Sequence, residues 1–113
     1  MQAKINNTVQ PVILRLHGDP LGEKDAFVLR QKVYELIERG TKNIVLDFHD
    51  VKHINSAGLG GLISSMTTLN KAEGGLRVAC VNEHVLKVFS ITRLAEVFRM
   101  YATVEEACAS FKA

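Results

Sequence analysis

Ser56 is the nucleophilic hydroxyl whose neighbours single it out among the 113 residues of the chain. It lies in Ile54-Asn55-Ser56-Ala57-Gly58-Leu59-Gly60-Gly61, where an apolar helical repeat begins. Each interior glycine of a helix costs ~1 kcal/mol relative to alanine. Three of them at 58, 60 and 61 imply that another element, or a partner, comes close to this backbone. A serine suits the helix N-cap, where its hydroxyl accepts from an unpaired N–H. A phosphate placed there would lie at the positive end of the helix dipole. Local chemistry leaves two readings of Ser56 open: a plain helix cap, or a phosphoacceptor.

Other residue patterns support less chemistry. His49 and His53 have the spacing of a helical metal pair but fall in a stretch read as a polar link, with no third ligand at matching spacing. His17 and His84 stand alone. The run Gly58-Leu59-Gly60-Gly61 is followed by Leu62-Ile63, not by the Lys-Ser or Lys-Thr of a phosphate-binding loop. No Gly-x-Gly-x-x-Gly opens the first helix. Paired carboxylates and a Cys–His arrangement are both missing from the pattern, so the chain is read as a non-enzyme without cofactor or metal. Cys80 and Cys108 sit inside apolar patterns and are read as buried thiols.

The elements that must position Ser56 follow from periodicity. Val12, Leu14 and Leu16 alternate with Ile13, Arg15 and His17 and predict a half-buried strand, with Pro11 at its start. A weaker strand is expected over Ala3-Lys4-Ile5-Asn6. Gly18-Asp19-Pro20-Leu21-Gly22 reads as a loop. From about Asp25, Ala26, Leu29, Val33, Leu36 and Ile37 repeat with helical spacing, and Gly40 stops the helix. Asn43 to Phe48 predicts a central strand, and His49 to His53 a polar link. Leu59, Leu62, Ile63, Met66 and Leu69 predict a second helix ending near Gly74-Gly75. Leu76 to Val81 is a third strand, followed by a helix over Glu83 to Ser90. A short strand over Val97 to Tyr101 and a helix over Val104 to Phe111 complete the order.

Alternating strands and helices predict an α/β fold with a parallel sheet and right-handed β-α-β crossovers. The first hairpin would add an antiparallel edge, giving a mixed sheet of four to five strands. Arg15, His17, Asp47 and Arg77 occupy alternate strand positions, which predicts helices mainly on one face. Residues 1–113 are expected to form a single domain. The formal charge of +2, with basic and acidic residues interspersed, argues against a nucleic-acid binder. No apolar run reaches the ~20 residues of a membrane span, and the N-terminus lacks a signal-peptide core. A cytoplasmic protein without membrane insertion is expected.

The segment Ile54 to Gly60 resembles the signature of the STAS family of anti-sigma factor antagonists, commonly Asp-Ser-Ser/Thr/Ala-Gly-Leu/Ile-Gly. The strand Asn43 to Phe48, the Leu16-His17-Gly18-Asp19 loop and the strand Gly74 to Val81 fall at the family's spacing. Phe89-Ser90-Ile91-Thr92-Arg93-Leu94 resembles a further family segment, with Arg93 for its usual glycine. The resemblance runs from Val12 to Phe111 and implies a STAS-type domain. It also implies a function: regulated binding of an anti-sigma factor that is itself a serine kinase, which frees a sigma factor for transcription.

By position, Ser56 is the implied phosphorylation site. Asp19, Asn55, Ser56, Ala57, Gly58, Leu59 and Gly60 are the implied partner-binding residues. The kinase would carry the ATP, phosphorylation would end binding, and a serine/threonine phosphatase would reset the cycle. The chain itself is expected to be a monomer or weak dimer. Two positions depart from the family. Asn55 replaces the usual Asp, and Pro20-Leu21-Gly22 occupies the stretch where a second acid is common. Both departures suit an alternative, a non-phosphorylated STAS subunit of a transport ATPase or sensory complex. A ligand-binding protein or enzyme on the same fold is the third reading.

Overall fold

Alternation places Val12, Leu14 and Leu16 of one strand, Ile44, Leu46 and Phe48 of the next, and Leu76 and Val78 of a third on the same sheet face, all of them buried. The computed structural model describes residues 2–4 and 11–111. Its strands are β1 (Gln2–Lys4), β2 (Val12–Gly18), β3 (Asn43–Val51), β4 (Gly75–Ala79) and β5 (Arg99–Tyr101). Its helices are α1 (Glu23–Glu38), α2 (Ser56–Lys71), α3 (Glu83–Ile91) and α4 (Val104–Ala109), with a 3-10 turn at Leu94–Glu96. The sheet order is β1-β2-β3-β4-β5. β1 pairs antiparallel with β2, and every later pair is parallel. Of the strand expected over residues 3–6, Ile5 and Asn6 lie outside the described residues.

Leu29, Val33 and Leu36 of α1, Leu62 and Leu69 of α2, and Val85 and Phe89 of α3 pack on that one face. Phe89 joins Phe48 edge-to-face at 6.2 Å and meets Phe98 at 5.7 Å, closing the core under α3. Truncating such a fully buried side chain to alanine costs about 3–5 kcal/mol. The opposite face carries a smaller cluster of Val45, Ala79 and Ala107, covered by the short α4. Ile13 and Tyr101 pack beside that cluster, and the face also carries polar groups: Arg15 reaches Asp47 at 3.5 Å and Asp50 at 3.3 Å. The expected helices mainly on one face are observed.

β3 continues three residues beyond Phe48, so His49, Asp50 and Val51 belong to a strand and not to the polar link expected. The pairing with β2 shifts register between Arg15 and His17 and then resumes, His17 opposite Asp50 and Gly18 opposite Val51. His17 is not isolated either, since its Nδ1 lies 3.4 Å from Asp50 Oδ2. Polar side chains on the open face hid this extension from a hydrophobic pattern. α1 ends as expected, with Gly40 at φ +90° and the N–H groups of Gly40 and Thr41 donating to the carbonyls of Ile37 and Leu36.

Candidate functional site

The parallel strands β2, β3 and β4 all point their carboxyl ends at one edge, where α1, α2 and α3 begin. In open α/β sheets this edge is where ligands and partners usually sit. Backbone hydrogen bonds stitch its loops together. Lys52 N–H donates to the Gly18 carbonyl at 2.8 Å, Leu21 N–H to the His53 carbonyl at 2.8 Å, and Asn55 N–H to the Leu21 carbonyl at 3.2 Å. The Asn82 amide adds bonds at 3.1 Å to the carbonyls of Val51 and Lys52. The start of α2 is therefore held from both flanks.

The residue that caps α2 is Asn55 and not Ser56. Asn55 is extended, φ −108° and ψ 180°, and its Oδ1 accepts from Gly58 N–H at 3.0 Å. The cause lies one residue earlier, where Ile54 bridges to Leu21 and fixes residue 55 as the last extended position. Asn caps a helix as well as Ser does. Ser56 becomes the first residue inside the helix, exposed, with its hydroxyl making no side-chain hydrogen bond among the described residues. No imidazole or carboxylate of these residues is bonded to it, so any activation of the hydroxyl must come from outside.

The three glycines of α2 separate into two kinds. A Cβ on Gly58 would run into the Leu21 carbonyl oxygen and lie 2.9 Å from Ile54 Cγ1. One on Gly61 would collide with Ala26 of α1, lying 2.9 Å from its Cα. These two let α2 close on the Leu21 loop and on α1. A Cβ on Gly60 would meet nothing within 4 Å, and Gly60 is exposed. Its missing side chain serves no packing within the described residues.

The residues named from the sequence are thus brought to one edge but do not all face outward. Asp19, Asn55, Ser56, Ala57 and Gly60 are exposed. Gly58 is buried, and Leu59 is half-buried against the main core. Asp19 Oδ1 lies 3.5 Å from His53 Nε2, and the His53 ring packs 5.2 Å from that of His84. His53 and His84 therefore join the edge, which their sequence positions did not suggest. Glu23 and Asp25 also come to it, in the first turn of α1, where Asp25 accepts from Gly22 N–H at 3.2 Å. Acids directly after a glycine are a legible helix-start signal.

Comparison with known proteins gives a consistent result. The STAS domain model matches residues 1–107. The chain is 30% identical over 87 residues to the anti-sigma-B factor antagonist of Bacillus subtilis, covering 74% of this chain and 79% of that one. It superposes on the crystal structure of a Thermotoga maritima protein with a TM-score of 0.87 at 26% identity, covering 99% and 94% of the two chains. It also superposes on the phosphorylated form of the Bacillus cell fate determinant SpoIIAA, with a TM-score of 0.73 at 25% identity over 98% of each chain.

Proposed function

The chain belongs to the STAS domain family, and from that premise we propose that it is an anti-sigma factor antagonist switched by phosphorylation at Ser56. The observation that carries this reading is the division of labour at the start of α2. Asn55 does the capping, so the Ser56 hydroxyl is exposed and not needed by the fold. Asn at the cap keeps the acceptor of the family's Asp while omitting its charge.

In this scheme the exposed edge of Asp19, Asn55, Ser56, Ala57 and Gly60 docks an anti-sigma factor that is also a serine kinase. Gly60 lets the partner's backbone or a large side chain lie against α2 without an intervening methyl group. Gly58 and Leu59 act from beneath by fixing the angle at which α2 leaves β3. The kinase brings ATP, and a base on the kinase takes the Ser56 proton. Ser56 Oγ bonds to the γ-phosphorus as the bond from that phosphorus to the bridging β-phosphate oxygen breaks, and ADP leaves. The phosphoserine carries about −2 charge. Asp19, Glu23 and Asp25 stand at the same edge, so the added charge meets carboxylates as well as the partner, and docking is lost by repulsion and desolvation. A serine/threonine phosphatase restores the hydroxyl. Such a cycle places the protein in the cytoplasm, where the kinase finds ATP.

The test is intact-mass measurement of protein taken from its own host, beside a Ser56→Ala variant. A gain of about 80 Da that the variant lacks supports the switch. Pull-down with the unmodified and the Ser56→Asp forms then identifies the partner. If no phosphate appears in growth, starvation or stress and the two forms capture the same proteins, the constitutive-subunit reading replaces the switch.

A further inference from the structure

An open cavity of about 390 Å³ lies at the opposite, amino edge of the sheet, where β4 and β5 begin and α2 ends. Arg77 and Arg99 line it from adjacent strands, directly opposite each other in the β4–β5 register. Neighbouring strands are about 4.8 Å apart, so the two arginine side chains leave the sheet from adjacent positions. Neither has a carboxylate within 4.0 Å among the described residues, while ion pairs form elsewhere in the chain.

Arg77 is oriented rather than neutralised. Its Nε donates to Ser110 Oγ at 2.9 Å, one terminal nitrogen donates to the Leu76 carbonyl at 3.3 Å, and its carbon stacks 4.1 Å from the centre of the Phe111 ring. With Tyr101 as a further hydrogen-bonding neighbour, these contacts still leave some of the five N–H groups unassigned. Burial, and then the neighbouring Arg99 charge, lower the Arg77 pKa from its usual value, with Tyr101 partly offsetting both. The amides of Asn43 and Asn70 also line the cavity and make no side-chain hydrogen bond among the described residues. Glu73 lines it too, held at φ 62° in the turn between α2 and β4.

We propose that this cavity binds a small hydroxylated organic phosphate, with its phosphate between Arg77 and Arg99 and its hydroxyl groups toward Asn43, Asn70 and Glu73. Two adjacent uncompensated guanidinium groups match one dianion, and guanidinium–phosphate hydrogen bonds are among the strongest available. The carboxylate of Glu73 repels a second phosphate but accepts from hydroxyl groups, which selects a monophosphate. The volume lies in the usual range for small-ligand sites. α2 spans about 24 Å from Ser56 to this cavity, so the site is distinct from the proposed switch.

The test is a titration of ¹⁵N-labelled protein with ribose 5-phosphate, followed by amide shifts, with ribose and with sulfate at matched ionic strength as controls. Saturable shifts confined to the cavity lining, at Asn43, Asn70, the turn at Glu73–Arg77 and Arg99, are expected with ribose 5-phosphate, and none with ribose. Arg99→Gln, an exposed substitution, raises Kd roughly tenfold or more. Lys24→Gln at the far edge and Ser56→Ala leave Kd unchanged. A response that does not saturate, equal saturation by sulfate, or undiminished binding by Arg99→Gln overturns the proposal. Because Ser56→Ala retains the site, failure here is separable from failure of the phosphoswitch.

Discussion

Replacing the α2 glycines one at a time by alanine should produce effects of opposite sign. At Gly60 a Cβ meets nothing within 4 Å, so the substitution contributes only helix propensity, about 0.9 kcal/mol in favour of the fold. Unfolding entropy of roughly 2.1 cal/mol/K per residue over 113 residues converts this to a Tm rise of about 4 °C. At Gly58 the same propensity gain is opposed by collision with the Leu21 carbonyl oxygen. Leu21 has little room to give way, because its N–H donates to His53, its carbonyl accepts from Asn55, and it bridges to Ile54. Overpacking costs up to about 3 kcal/mol, and a collision with backbone lies in the upper part of that range, about 2–3 kcal/mol, so after the propensity gain Gly58→Ala should lose about 1–2 kcal/mol net, a Tm fall of about 4–8 °C. Gly61→Ala should also lose stability, by forcing α1 and α2 apart at Ala26. Thermal and urea unfolding of the three variants, followed by circular dichroism, measures all of this. If Gly58→Ala is as stable as Gly60→Ala, the division of the glycines into packing and surface positions is wrong. Under the proposed function Gly60→Ala should also bind the anti-sigma factor more weakly while folding better, a combination that packing alone does not produce.

Removal of the cap by Asn55→Ala should cost about 1 kcal/mol in urea unfolding, whereas Asn55→Asp, which keeps the acceptor at the positive end of α2, should cost nothing at pH 7. Ser65 is 1% exposed, and its Oγ has no hydrogen-bond partner among the described residues. Ser65→Ala should therefore raise stability, by up to about 1 kcal/mol, and a lower midpoint in urea would show that its hydroxyl is in fact satisfied. Burial, followed by the Asp47 charge, raises the Cys80 pKa. Iodoacetamide labelling of Cys80, read by peptide mass, should have its half-maximal pH above the ~8.5 of an unperturbed thiol. A raised folded pKa favours the protonated thiol, so its contribution to stability is complete below the unfolded pKa and lost as pH rises through the folded one.

The sequence made the main architecture legible because the strands of this sheet alternate cleanly and the helices repeat every three to four residues. Val12, Leu14 and Leu16, or Leu29, Val33 and Leu36, carry their buried face in their spacing alone. What failed was of a different kind. The extension of β3 through Val51 depends on pairing with β2 and on ion pairs to Asp50, which leave no apolar signature. The cap of α2 lies one residue before the serine that local sequence suggests, because Asn and Ser are equivalent caps and a tertiary bridge at Ile54 chooses between them. The glycines at 58, 60 and 61 look alike in sequence, yet only the positions of Leu21 and Ala26 distinguish them. His53 and His84 meet at the site because of the course of the loops before α2 and α3, which local spacing does not encode.

The one-residue shift of the cap bears directly on how the proposed switch would work. A serine at the N-cap would use its hydroxyl to hold an N–H of the first turn, and phosphorylating it would disturb the helix start at a cost of about 1 kcal/mol. With Asn55 as cap, modification of Ser56 leaves the bond from Gly58 intact. The added charge then also sits in the first turn, where the helix dipole stabilises it by roughly 0.3–1 kcal/mol. The phosphorylated protein should thus remain folded, with the same backbone, and differ in what its carboxyl edge can dock. Release would follow from charge at the interface and not from unfolding of α2, which allows the cycle to be reversed simply by removing the phosphate.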